Sequence, residues 1–383
     1  MKKITRFITG KGLRLFGLLG VVGLLTGLTS CSSEQEEERI MTNVVAVAYA
    51  PQYMEQGGET RAAFPPSGYV SYSSFNYSGL PLNDVDASIG IFFTKNGEEP
   101  LASRFAKGSD DKWRMMVEID HDDYYAYGFL PSGAVESSSI TSADYSSGAT
   151  LNLNGLSTVS AQDVCVTIGV KDGISETEVE DFAIGHFATT IRDSHNYIFL
   201  VFDHLYSGMR FRFKINSTYF GLRTIKINDV KLRAYNGDTQ IKSKVNASIT
   251  LTKNDTGDLP ITNIAYTNAD GSIDAETTLF TAGGDVEPIT LSPTAYSDFV
   301  GMFLPATATR FELETHYDVY DKLGHLIRAN QSAINNISTS RLFGEVTTRG
   351  HVYTLNITVN PTYLYVLADP DLDNPSFEII TNS

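Results

Sequence analysis

Apolar and polar residues alternate with a period of two along much of this chain. In "MRFRFKI", Met209, Phe211, Phe213 and Ile215 alternate with Arg210, Arg212 and Lys214. In "RTIKINDVKLRAY", Ile225 and Ile227 oppose Lys226, and then Val230 and Leu232 oppose Lys231 and Arg233. "FELE" at 311–314 behaves likewise, and "VYTLNITV" sets Tyr353, Leu355, Ile357 and Val359 on one face. Such patterns predict strands with one buried and one wet face. Sheets of that kind pack face to face as sandwiches.

Further strands are expected around 69–76, 88–94, 112–119, 124–130, 147–154 and 162–170. Turn chemistry separates the later ones: "YNGD" at 235–238, "NADG" at 268–271 and "AGGD" at 282–285. The Ser-rich stretch "SGAVESSSITSADYSSGA" reads as an exposed loop, and "SETEVEDF" at 175–182 as one short helix. No repeat of solenoid or propeller length is present. A fresh series of strands opens with "NYIFLVFDHLYSGMRFRFKI", which places a domain boundary near 190. The expected organisation is a leader at 1–30, an acidic spacer with a first strand at 31–61, one β-sandwich at 62–190 and another at 191–383.

The N-terminus breaks the alternation. Lys2, Lys3, Arg6, Lys11 and Arg14 precede and flank a mostly Leu, Val and Gly run that ends at Leu28-Thr29-Ser30-Cys31. A basic start, a short apolar segment and small residues before a cut describe a secretory signal; a single transmembrane anchor would need a longer span. The terminator resembles the lipobox of bacterial lipoproteins. That resemblance implies cleavage between Ser30 and Cys31 and a lipid on the Cys31 thiol, a firm membrane tether when several acyl chains are attached. Glu34, Glu36, Glu37 and Glu38 follow. They are either a solvated spacer or, by similarity to lipoproteins of Bacteroidota, a signal for export to the outer surface.

Charged residues make up only 19% of the chain while Tyr, Phe and Gly are plentiful, a balance that suits sheets and turns. The formal charge of −16 becomes more negative still once the basic leader is removed, which disfavours nucleic acid as a partner. With Cys31 assigned to lipid, Cys165 in "DVCVTIGV" is left without a disulfide partner within the mature chain. It reads as a buried small hydrophobe.

Four segments, in order, resemble the fimbrillin family of Bacteroidota, which comprises type V pilins and fimbrillin-like lipoproteins. They are "TRAAF" at 60–64, "WRMMVEIDHDDYYAYGFLPSG" at 113–133, "FDHLYSGMRFRFKIN" at 202–216 and "HVYTLNITVNPTYL" at 351–364. The resemblance implies two consecutive transthyretin-like β-sandwiches, exported as a lipoprotein. It also implies an Arg-specific protease that removes the first strand, and a strand from another subunit that fills the groove left behind. The implied partners are other fimbrillin subunits, as a homo- or heteropolymer, and the membrane through Cys31 before processing.

The residues permit such a mechanism. "NVVAVAYA" at 43–50 is apolar and partly β-branched, and "QGGE" after it is a polar link open to proteolysis. From Ser32 to Thr94 the only basic residues are Arg39 and Arg61, and only a cut between Arg61 and Ala62 frees this strand. An ordinary linker arginine is the alternative for Arg61. The tail "TYLYVLADPDLDNPSFEIITNS" either donates a strand to a neighbour or closes its own domain. Stalk and anchor roles both stay open.

No nucleophile-elbow, zincin, P-loop or dinucleotide motif is present, so neither enzyme activity nor a cofactor is expected. Asp120, His121, Asp122 and Asp123 read as a turn or wet edge rather than a metal site. Asp369, Asp371 and Asp373 imitate a calcium loop, but Asn374 and Ile380 stand where Gly and Glu are needed, which excludes an EF-hand and leaves weak surface calcium binding open. His204 reads as a packed strand histidine and Trp113 as a core residue. The competing function is a non-polymerising surface lipoprotein that binds glycan or host protein, with Tyr124, Tyr125 and Tyr127 as a platform.

Overall fold

The alternating segments are strands throughout the chain, in a computed structural model that describes residues 40–50, 53–55, 70–71, 88–108, 113–119, 123–160, 162–173, 186–188, 196–255, 259–305, 307–340, 347–364 and 369–380. The architecture is all-β. Strands β1 (Ile40–Ala50), β2 (Ser88–Thr94), β3 (Leu101–Lys107), β4 (Trp113–Ile119) and β5 (Asp123–Leu130) belong to one sheet. Strands β6 (Ser137–Thr141) and β7 (Gly148–Ser157) start another. Strands β8 (Cys165–Gly173) and β9 (Asn196–His204) return to the first sheet and close it. β8 pairs with β5 on one edge and β9 on the other, and β9 pairs with β1. The ring β8–β9–β1–β4–β3–β2–β5 is therefore a closed, barrel-like sheet, joined by only two residue pairs at β3–β4 and at β8–β5.

The second half contains β10 (Ser207–Ile215), β11 (Thr224–Asn236), β12 (Lys244–Thr252), β13 (Ile261–Asn268), β14 (Glu276–Thr281), β15 (Ser297–Phe303), β16 (Arg310–Tyr320), β17 (Leu326–Ser338), β18 (His351–Leu364) and β19 (Asp369–Ile380). One sheet runs β15–β10–β18–β19, and another runs β17–β16–β11–β14. Their inner faces share a core in which Phe211, Phe213, Phe303, Phe311 and Tyr317 are buried.

The faces follow the alternation. Met209, Phe211, Phe213 and Ile215 are buried in β10, and Tyr353, Leu355, Ile357 and Val359 in β18. In β11 the buried set changes phase, from Ile225 and Ile227 to Val230, Leu232 and Ala234. The ladder with β16 shifts register between Ile227 and Asp229, so a β-bulge absorbs the extra residue and both halves face the same core. Gly237 and Gly271 adopt φ of 60° and 70° in the turns expected at "YNGD" and "NADG".

The sheets do not divide at residue 190. β9, at 196–204, is part of the first closed sheet. β12 and β13 leave the second half altogether: β12 pairs with β7 and completes the sheet β13–β12–β7–β6. Leu151, Leu153 and Leu156 of that sheet, with Ala247, Ile249 and Leu251, join the core of the closed sheet. Sequence order alone hides this exchange, because the alternation of β12 does not say which partner its buried face meets.

The Ser-rich stretch expected to be a loop contains β6, held by its ladder to β7 and by the buried Ile140. The helix expected at 175–182 falls outside the described residues. Among the described residues no helix is long and apolar enough to cross a membrane.

Candidate functional site

β1, "IMTNVVAVAYA", lies between two strands. Its residues Val44–Tyr49 pair in parallel with β9, and Ile40–Ala46 pair antiparallel with β4. Across Val44, Val45 and Ala46 both ladders run at once, so the backbone there is bonded on both edges. Val44, Ala46 and Ala48 belong to the barrel core, and Val45 is equally buried but lies outside that cluster. Small and β-branched side chains suit a strand squeezed on both faces. Burial of these four side chains is worth roughly 5 kcal/mol before entropic costs. Withdrawal of β1 would leave the facing edges of β9 and β4 unpaired, a groove with a row of free N–H and C=O groups and apolar floor positions.

Beyond β1 the chain passes to the other sandwich. Tyr53 is buried, and Met54–Glu55 pair in parallel with His351–Val352 of β18. The same edge of β18 carries β19, antiparallel over Asn356–Leu364. Among the described residues β19 is bonded to a strand on one edge, and an edge strand of this kind tolerates its prolines, Pro370 and Pro375. Phe377 packs in the core against Phe213 and Tyr317, and Arg223 binds Asp373 at 2.8 Å. Here the C-terminal strand closes its own domain.

Under Tyr53 sits a polar cluster. Tyr53 stacks on His204 with ring centroids 4.1 Å apart. His204 Nδ1 lies 2.6 Å from Asp163 Oδ2 and 3.3 Å from Cys165 Sγ, and Cys165 Sγ is 3.2 Å from Asp163 Oδ2. All three residues are fully buried. Cys165 and His204 are direct cross-strand neighbours in the β8–β9 ladder, and Asp163 precedes Cys165 by two residues. Arg349 fixes the end of β9 through Asp203 Oδ2 and the His204 carbonyl. Nearby, Tyr206 donates to the Ser157 carbonyl; burial, reinforced by the Asp163 charge, pushes its hydroxyl well above the ordinary value and keeps it protonated. The thiol and the carboxylate face the same imidazole nitrogen, so the trio lacks the relay order of a nucleophilic triad, in which base and orienting acid use opposite nitrogens.

Sequence reasoning expected His204 to be packed and Cys165 to be buried, and both are. It missed their convergence with Asp163. The local signal is D-x-C, with Asp163 two residues ahead of Cys165 at the start of β8; His204 arrives through a pairing no local pattern records.

Of the other candidates, Ser30, Cys31, Arg61 and Ala62 lie outside the described residues, as do Asp120, His121 and Asp122. Trp113 is a core residue, 2% exposed. The three tyrosines form no exposed platform: Tyr124 and Tyr127 are buried and Tyr125 is half-buried, because β5 is covered on both faces along most of its length. Asp369, Asp371 and Asp373 fall within β19 rather than in a loop. A cleft of about 590 Å³ is lined by Thr158, Asn236, Gln240, Lys242, Tyr266 and Asn268, among others.

No family model and no curated protein matches this chain. Solved structures do resemble it. A protein of Bacteroides fragilis, named provisionally for cell adhesion, shares 12% identity at a TM-score of 0.43 over 89% of this chain and 98% of that one. A fimbrial protein of Bacteroides vulgatus shares 10% identity at 0.32 over 87% and 98%. A Bacteroides thetaiotaomicron structure, named provisionally for polysaccharide binding, shares 10% at 0.31 over 83% and 91%. At such values the likeness does not extend to function.

Proposed function

We propose that this chain is a structural subunit of a cell-surface fimbria. It is exported as a lipoprotein on Cys31, cut between Arg61 and Ala62, and polymerised when a strand of another subunit replaces β1. It is not an enzyme, and its partners are other subunits of its own kind.

The supporting observation is the position of β1. An ordinary N-terminal strand at a sheet edge would leave nothing behind when removed. β1 is instead an inner member of a closed ring, continuous with a stretch that a protease cutting after Arg61 would release. The replacement must run parallel to β9 and antiparallel to β4, with small apolar residues where Val44, Ala46 and Ala48 now lie. Treatment of the folded chain with an Arg-specific protease tests this. Loss of the segment up to Arg61 followed by ladders on denaturing gels is the expected result. A folded chain that stays monomeric after the cut removes the polymer reading.

The second reading is a surface lipoprotein that does not polymerise and binds glycan or host protein. The amide- and hydroxyl-lined cleft at Asn236, Gln240 and Asn268, with Tyr266 in its wall, favours it. A glycan array with wild type and Asn268→Ala separates the two readings.

A further inference from the structure

We propose that Asp163, Cys165 and His204 form a binding site for a thiophilic divalent cation of the zinc class, with Tyr53 as its roof. The inference does not depend on strand exchange.

The donor set is the first support. A thiolate, an imidazole nitrogen and a carboxylate are the side-chain ligands zinc takes, and here their atoms all lie within 4.8 Å of one another. Zn–S of about 2.3 Å and Zn–N or Zn–O of about 2.0 Å put neighbouring tetrahedral ligand atoms roughly 3.3–3.6 Å apart. The two sulfur separations, 3.2 and 3.3 Å, already approach that spacing. The Nδ1–Oδ2 pair, at 2.6 Å, would have to open by about 0.7 Å to meet the same spacing.

The second support is an orphaned atom. Asp163 Oδ1 is buried and accepts no hydrogen bond from the described residues, although a buried carboxylate oxygen left so is costly. A cation seated beside the carboxylate gives Oδ1 an electrostatic partner, and a solvent molecule takes the fourth tetrahedral position. The charges then cancel, because one carboxylate and one thiolate neutralise a divalent ion. A neutral, closed site is the form that burial penalises least. Loading sends the thiol proton to solvent, and the imidazole binds through Nδ1 with its one proton on Nε2.

Access is through Tyr53. Its ring covers His204, and it belongs to the short segment between β1 and the Met54–Glu55 bridge to β18. Displacement of the Tyr53 side chain would uncover His204 without breaking the β8–β9 ladder that holds Cys165 opposite it.

Cobalt(II) added to the chelator-treated full chain is the test. The expected result is one equivalent retained through gel filtration, with a sulfur-to-cobalt charge-transfer band and ligand-field absorption of tetrahedral intensity, both displaced by zinc. Cys165→Ala loses the charge-transfer band, and Asp163→Asn weakens retention. Tyr53→Ala, which keeps every ligand, loads faster. Should Cys165→Ala fail to fold, the wild-type spectrum and the Tyr53→Ala rate decide alone. A wild-type chain that retains no cobalt, or that retains it without the sulfur band, overturns the proposal: exposed groups such as His325 bind adventitiously but offer no thiolate.

Discussion

Ala46 of β1 lies opposite Ile198 of β9 in parallel register, and both side chains are fully buried. A charge introduced there is taken out of water into an apolar core. Ala46→Asp is expected to cost about 3–5 kcal/mol, the usual penalty for an uncompensated buried charge. Urea unfolding reads it as a lower midpoint with the same slope. An unchanged midpoint would mean that β1 does not occupy the barrel in solution.

Trp113, the one tryptophan of the chain, pairs with Ala46 across the β1–β4 ladder. Its emission is expected to be blue-shifted and protected from acrylamide in the intact chain. Removal of the segment through Arg61 should shift it to the red and expose it to quencher. Refilling of the groove by a strand peptide should restore the original spectrum. A trimmed chain with native emission and native quenching argues against a groove beneath β1.

Arg233 binds Glu276, Glu312 and Glu314 at 2.7, 2.9 and 2.5 Å on the outer face of β11. Burial alone would push the Glu314 carboxyl up, but the hydrogen bond and charge of Arg233, with His316 beside it, hold it below the ordinary range. A carboxyl depressed in the folded state stabilises the fold above its unfolded pKa of about 4.3 and loses that contribution as pH falls through the lower folded value. The urea midpoint of wild type should therefore fall more steeply below that pH than the midpoint of Glu314→Gln. Parallel curves would show that the network carries no linkage.

Phe377 anchors the C-terminal strand against Phe213 and Tyr317. Phe377→Ala is expected to cost about 3–5 kcal/mol, as for other buried aromatic truncations. Amide exchange should then accelerate in β19 and along its partner edge of β18. Protection of β18 that survives the substitution would show that β19 is dispensable to its own domain, and so available to donate.

Gly148 has φ of +137°, and a Cβ there would stand 2.2 Å from the Leu251 carbonyl oxygen. Gly148→Ala should cost about 1–3 kcal/mol in backbone strain alone, with the clash in addition. The expected site of damage is the β7–β12 ladder, the pairing that brings second-half strands to the barrel. A thermal midpoint within error of wild type would contradict the geometry.

Much of this fold could be read from the chain because a strand half in water writes its faces into its sequence. β10, β11, β16 and β18 have the faces their alternation assigns, and even the bulge at Asn228 is visible as the step from Ile227 to Val230. β3, "LASRFAK", was not legible: exposed along most of its length, it buries only Phe105 and so carries no period. β6 escaped for the same reason, with Ile140 its sole buried residue.

The sequence by itself determined the all-β class, the faces of the long strands and the apolar character of the segment that became β1. Tertiary structure alone decided that β1 runs parallel to β9 inside a closed ring, that β12 crosses to β7, and that His204 meets Asp163 and Cys165. The reason is the range of the forces involved. Which side of a strand is buried depends on residues two positions apart, whereas which strand lies beside it depends on pairings between residues far apart in the chain, settled only when all the ladders and both cores form together.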